Sequence, residues 1–151
     1  IVSLEGECRH ITSYLQIQQV RYQDILTYDV DIPEEIANCK IPKITLQPLV
    51  ENALYHGIKN KRGKGRIVVT GRREKDKCVI RVEDNGIGMT KERLNQVRSG
   101  LTTKIEDSND FYGLYNVNER IRLKFGEGYG LSIDSVLQEG TCVEVWLPWE
   151  S

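Results

Sequence analysis

The sequence has no apolar run approaching the roughly 18 residues that a membrane-spanning helix needs, and no secretory signal peptide is visible. It has no C-x-x-C pair, and its only histidines are His10 and His56. The four cysteines, Cys8, Cys39, Cys78 and Cys142, are far apart. A zinc site needs clustered ligands, so the expectation is reduced, structural thiols in a cytosolic setting. Excess charge of either sign is also lacking: 21 basic and 22 acidic residues leave a net charge of −1. That argues against nucleic acid as a partner, which would favour a basic face. There is no internal repeat and no low-complexity stretch. The 151 residues suffice for one domain with a sizeable core. The chain opens at Ile1 rather than Met, and the expectation is a piece of a longer protein.

What is present reads as alternating elements. Residues 3–22 carry Leu4, Cys8, Ile11, Leu15, Gln18 and Tyr22 at alternating spacings of four and three, a seam for packing on another helix. Residues 25–32 alternate apolar and polar, as a strand does. Pro33 and Pro42 bracket a connector, and a helix is expected from about Lys43 to Ile58. A basic turn from Lys59 to Gly65 leads to strands at 67–74 and 78–84, joined as a hairpin. Residues 90–98 read as a short helix with Thr90 as N-cap. Residues 99–112 are polar and aperiodic, the mark of a functional lid or of a disordered loop. A helix is expected at 113–125, and two last strands meet at Gln138-Glu139-Gly140. This order predicts an α+β fold: a mixed, mainly antiparallel sheet with helices on one face.

Three stretches carry possible chemistry. In LVENALYHG, residues 49–57, an apolar stripe of Leu46, Leu49, Val50, Ala53 and Leu54 falls at helical spacing. Asn52 and His56, four apart, project together from its edge, while Glu51 and Tyr55 point away from the stripe. Such a helix can wall a pocket, and an amide oxygen is a hard ligand suited to Mg²⁺. Without other signals it is equally an ordinary core helix. In EDNGIGM, residues 83–89, Asp84 is a carboxylate placed where a strand ends, followed by Gly86 and Gly88. A buried carboxylate accepts from an adenine amine and not from the guanine 6-oxygen. Alone, the pattern is more often a turn. In GLYNVNER, residues 113–120, Gly113 at a helix start exposes N–H groups to an anion. Near the end, Gly140 would let another loop approach closely.

Taken in order, N-x-x-x-H on a helix, D-x-G-x-G, a lid, G-L opening a helix and G-T before a last strand resemble the ATP-binding domain of the Bergerat, or GHKL, superfamily. Within it, QPLVENALYHGI, DNGIGM, GLYNVNERI and HITSYLQIQQVRY resemble the LytS/YesM-type sensor histidine kinases, over nearly the whole chain. The resemblance implies a two-layer α/β sandwich, ATP and Mg²⁺ as ligands, and a role for each matching residue. Asn52 would bind Mg²⁺; His56 would line the nucleotide; Asp84, with Gly86 and Gly88, would bind adenine. Gly113 and Leu114 would lie beside the phosphates, and Thr141, after Gly140, would support the aspartate.

Several positions depart from the pattern. Tyr55 stands where many histidine kinases have a basic residue, and Pro48 where some relatives have glutamate. A glycine is missing ahead of Tyr112-Gly113. The phosphate-accepting histidine of such kinases lies in a motif upstream; His10, in H-I-T-S-Y, resembles the helix that follows it and is read as structural.

The resemblance therefore implies residues 1–24 as the end of a dimerising, phosphoacceptor helical region and residues 25–151 as the catalytic ATP-binding domain. The intact protein would be a membrane sensor in a two-component phosphorelay. Its partners would be the upstream phosphoacceptor helix, a response regulator and a second copy of itself. The alternatives are a GHKL ATPase or protein-serine kinase, or a module that holds ATP without turnover and serves to dimerise.

Overall fold

A five-stranded sheet with helices packed on one face organises the chain, as seen in a computed structural model that describes residues 1–22, 25–58, 63–102 and 112–149. Strand β1 (Val2–Ser3) leads into helix α1 (Leu4–Arg21). Ser3 caps this helix by accepting from Gly6 N–H at 3.2 Å. Glu5 and Glu7 lie in its first turn and Arg21 in its last, each suited to the helix dipole. The expected seam is buried at Leu4, Cys8, Ile11, Leu15 and Gln18. Its apolar members belong to the same core as the main sheet.

Strand β2 (Leu26–Asp31) follows, then a single 3-10 turn at Glu34–Ile36 and strand β3 (Lys40–Ile41), which pairs with β1. Helix α2 (Leu46–Asn52) starts at the first residue of its apolar stripe, about three residues later than the expected start near Lys43. Ile44 just before it has φ +59°, a left-handed conformation that ends any helical run through a β-branched residue. Pro48 is tolerated because it falls in the first turn, where its missing N–H has no intrahelical partner. At Ala53 the chain changes to a π-helix, Ala53–Ile58, a wider turn often found at functional sites.

Strands β4 (Gly65–Glu74) and β5 (Lys77–Asp84) form the expected hairpin. Helix α3 (Lys91–Gly100) begins at Thr90, whose hydroxyl accepts from Arg93 N–H at 3.1 Å. Of the expected lid, residues 103–111 lie outside the described residues, as do 59–62 of the basic turn. Helix α4 (Tyr112–Phe125) and strands β6 (Gly130–Val136) and β7 (Gly140–Pro148) complete the chain.

The sheet order is β2-β4-β5-β7-β6, with β2 and β4 parallel and every other pair antiparallel. The period-two side-chain alternation of a strand decides which face is covered. Cys78, Ile80 and Val82 of β5 pair with Leu147, Val145 and Val143 of β7, and all six are buried. The opposite face carries Arg72, Arg81, Glu83, Glu144 and Trp146, tied by an Arg72–Glu144 ion pair at 2.9 Å. The sheet is therefore one-sided, apolar towards the helices and polar towards water.

The four thiols are free, and three of them are buried. Burial pushes Cys8 and Cys142 up to about 11, so both keep their protons at neutral pH.

Candidate functional site

Asp84 continues the inward row Cys78, Ile80, Val82 by one more step of two. The same alternation that buries three apolar side chains therefore buries a carboxylate at the strand's end, where it is 6% exposed. Register places Thr141 directly opposite it on β7, and the Thr141 hydroxyl is 2.9 Å from that of Ser135. The Asp84 Oδ1 accepts Gly86 N–H at 2.9 Å, which folds the loop back over the carboxylate.

Two glycines make this packing possible. A Cβ on Gly57 would lie 2.5 Å from Asp84 Oδ1, and one on Gly86 would lie 2.3 Å from the Gly57 carbonyl carbon. The π-helical segment thus carries Gly57 against both the carboxylate and the D-x-G-x-G loop. The contact is stitched by Ile87 N–H to Gly57 O at 3.4 Å. Gly88, at φ +66°, faces the Val136 carbonyl, and Gly140 receives the Asp84 carbonyl where a Cβ would be 2.0 Å away. That is the close loop approach expected of Gly140.

A cavity of about 140 Å³ opens beside this arrangement, lined by Pro48, Glu51, Asn52, Tyr55, His56, Gly113 and Leu114. The structure thus brings together four of the residues singled out from sequence: Asn52, His56, Gly113 and Leu114. Asp84, Gly86, Gly88 and Thr141 do not line it. Asp84 and Thr141 border a separate depression of about 190 Å³ near the β6–β7 turn. The 140 Å³ cavity is smaller than the roughly 300 Å³ of a site for a drug-sized ligand. It has room for one end of a nucleotide.

Asn52 Oδ1 is buried and has no hydrogen-bond partner among the described residues, an arrangement that ordinarily needs an explanation. An amide oxygen left over at a cavity wall, with the Glu51 carboxylate in the same wall, fits a hard cation such as Mg²⁺. No group of three His, Cys, Asp or Glu among the described residues could hold a metal. A cation here would therefore take most of its oxygens from phosphate and water, as Mg²⁺ commonly does.

From sequence alone, Glu51 and Tyr55 are set aside as pointing away from the stripe, and Gly57 has no role. Glu51 and Tyr55 do point away from the apolar stripe, and that side of the helix is the cavity side. Gly57 had a signal in the His-Gly pair, but its partner is 27 positions away. Asn118, within the GLYNVNER stretch, is structural: it donates to Leu101 O and accepts from Leu131 N–H, both at 2.9 Å.

Residues 42–151 match the family model described as histidine kinase-, DNA gyrase B- and HSP90-like ATPase. The chain belongs to this family. It is 36% identical over 148 residues to the sensor histidine kinase YesM of Bacillus subtilis, covering 98% of this chain and 24% of that protein. It is 34% identical over 150 residues to the sensor protein LytS of Staphylococcus saprophyticus, covering 99% of this chain and 25% of that one. The chain thus spans about a quarter of the length of these relatives. Among solved structures, the catalytic domain of the histidine kinase ThkA superposes with a TM-score of 0.72 at 12% identity, over 97% of this chain and 94% of that one. The fold shared with histidine kinase catalytic domains is the expected two-layer α+β arrangement, and the sequence relatives are of the LytS/YesM type.

Proposed function

We propose that this chain is the ATP-binding catalytic part of a sensor histidine kinase. It would transfer the γ-phosphate of ATP to a histidine upstream of residue 1, from which a response regulator takes it. The observation that carries this reading is Asp84: a buried carboxylate at a strand end, opposite Thr141 and faced by a side-chain-free helix segment at Gly57. A carboxylate only accepts, so it pairs with the adenine amine and rejects the guanine 6-oxygen.

In this reading Gly86 and Gly88 shape the loop around Asp84, and Thr141 supports it. Asn52 offers its orphaned oxygen to Mg²⁺, His56 lines the nucleotide, and Gly113 with Leu114 meets the phosphates at the start of α4. Mg²⁺ held in part by Asn52 would supply positive charge to offset the negative charge that develops on transfer. The contribution of the chain itself is positioning and electrostatic stabilisation. Pro48 stands four before Asn52, where a water-activating carboxylate would be wanted, which favours transfer to an imidazole over hydrolysis. Residues 1–24 would be the end of the dimerising helical region, residues 25–151 the catalytic domain, and the intact protein a homodimeric membrane sensor with this part in the cytoplasm.

Titration calorimetry with ATP and GTP tests the reading. ATP should bind at least about tenfold more tightly, the scale of losing one well-made hydrogen bond and leaving a buried carboxylate unpaired. Asp84→Asn should remove that preference. Equal affinities for ATP and GTP would overturn it.

A further inference from the structure

Among the described residues, Glu51 is the one carboxylate in the wall of the 140 Å³ cavity, next in sequence to Asn52. A polyphosphate is an anion, so a carboxylate facing it repels it unless a cation lies between. We propose that Glu51 makes the cavity discriminate a cation-loaded nucleotide from a free one, and that Gln47 and His10 hold it in position to do so. The proposal rests on the nucleotide reading above and adds to it a residue and a selectivity.

The geometry gives Glu51 a fixed orientation. Gln47, one turn earlier on α2, donates from Nε2 to Glu51 Oε1 at 2.8 Å. The amide oxygen of Gln47 in turn contacts His10 Nε2 on α1. With an acceptor on one side and a ring nitrogen on the other, the chain runs one way: imidazole N–H to amide oxygen, amide N–H to carboxylate. A second tie lies one turn further along α1, where Tyr14 is hydrogen-bonded to Tyr55 of the π-helical segment that follows α2, itself in the cavity wall. Helix α1 therefore braces the outer face of α2 at two levels, and both braces end on cavity residues. Glu51 and Asn52, whose buried Oδ1 has no hydrogen-bond partner among the described residues, line the same cavity, and both are hard oxygen donors. Gly113, at the start of the 14-residue helix α4, lines the same cavity, and a helix start offers backbone N–H groups to an anion. The cavity thus has a cation side and an anion side, and Glu51 belongs to the first.

The test is ADP binding to the 151-residue chain, measured by calorimetry in MgCl₂ and again in EDTA. ADP avoids turnover. Glu51→Gln should bind ADP more weakly with Mg²⁺ and more tightly without it, so the ratio of the two affinities falls by about tenfold. Glu51→Asp, which keeps the charge, should retain the penalty in EDTA. Gln47→Leu and His10→Leu should lower the same ratio by a smaller factor, and His10→Gln, which keeps a donor, should restore it. Adding His10→Leu to Glu51→Gln should change nothing further, because both act through one carboxylate. A residue that merely fills the wall would move both affinities in the same direction, and that result would overturn the proposal. So would an unchanged ratio accompanied by slower ATP hydrolysis, which would make Glu51 a water-activating base. Absence of ADP binding by the unaltered chain in either medium would overturn the nucleotide reading itself.

Discussion

Replacing Gly57 with alanine tests a contact on which the proposed adenine recognition by Asp84 depends. The added methyl would meet Asp84 Oδ1 at 2.5 Å, Cγ at 2.7 Å and Oδ2 at 3.1 Å. Carbon and its neighbours reach their optimum near about 3.5–4.0 Å, so the carboxylate must retreat by about 1 Å. It cannot do so freely, because Oδ1 also accepts Gly86 N–H at 2.9 Å and the Gly86 backbone is packed on Gly57. Two stability terms oppose each other. Overpacking destabilises by about 1–3 kcal/mol, whereas alanine in place of glycine inside a helix stabilises by about 0.8–1 kcal/mol. Gly57 has no positive φ, so strain adds nothing. The net loss of stability should be about 1 kcal/mol. Binding should suffer more: a misplaced carboxylate forfeits a charged hydrogen bond of about 1.5–3 kcal/mol, a 10- to 150-fold loss of ADP affinity. Urea unfolding and ADP calorimetry measure the two effects separately. Gly100→Ala is the control, since a Cβ there meets nothing within 4 Å. It should leave binding unchanged. ADP affinity of Gly57→Ala within about twofold of the unaltered chain would refute the argument, because it would mean that Asp84 can move without consequence.

Two further outcomes follow from the buried polar groups. Glu7, 4% exposed on α1, accepts from Ile44 N–H at 2.5 Å and Leu46 N–H at 3.3 Å, and so caps α2 from another helix. Glu7→Ala should destabilise by about 3 kcal/mol in urea unfolding and Glu7→Gln by less; a loss under about 1 kcal/mol for the alanine variant would remove this capping role. Burial raises the Cys8 and Cys142 thiols from 9.0 to about 11, so the unfolded chain loses these protons first as pH rises. The stability from this source is complete below about pH 9 and falls through about pH 11. Urea midpoints at neutral pH and across that window should show the fall, and Cys142→Val should lessen it; an identical fall in the variant would exclude the Cys142 thiol.

Much of the fold is written in local periodicity. The period-two rows of β5 and β7 set both the covered face and the place of Asp84, and each follows from counting by twos along the sequence. The stripe Leu46, Leu49, Val50, Ala53 and Leu54 is wholly buried, as its spacing requires. What escaped the sequence is what depends on distant partners. Nothing around Ile44 announces a left-handed φ. That conformation is held by Glu7, 37 positions earlier, and by Arg120, which donates to Lys43 O at 2.7 Å and Ile44 O at 2.6 Å from 76 and 77 positions later. The change from α to π geometry at Ala53 is equally silent, and the segment it forms carries Gly57 against Asp84 and Gly86, 27 and 29 positions later.

Glu51 escaped for a different reason. A polar residue opposite an apolar stripe reads as solvated, and on an isolated helix it would be. Helix α4 turns that solvent side into a wall by bringing Gly113 against Pro48, with 3.5 Å between the Pro48 Cβ and a Cβ built on Gly113. Helix α1 then fixes the polar residues there through His10 and Tyr14. The same bracing places the N-terminal helix within hydrogen-bond reach of the cavity wall. Any shift of α1 along α2 must therefore break the His10–Gln47 and Tyr14–Tyr55 contacts together. This gives the N-terminal helix a direct mechanical hold on two residues of the cavity wall, Glu51 and Tyr55.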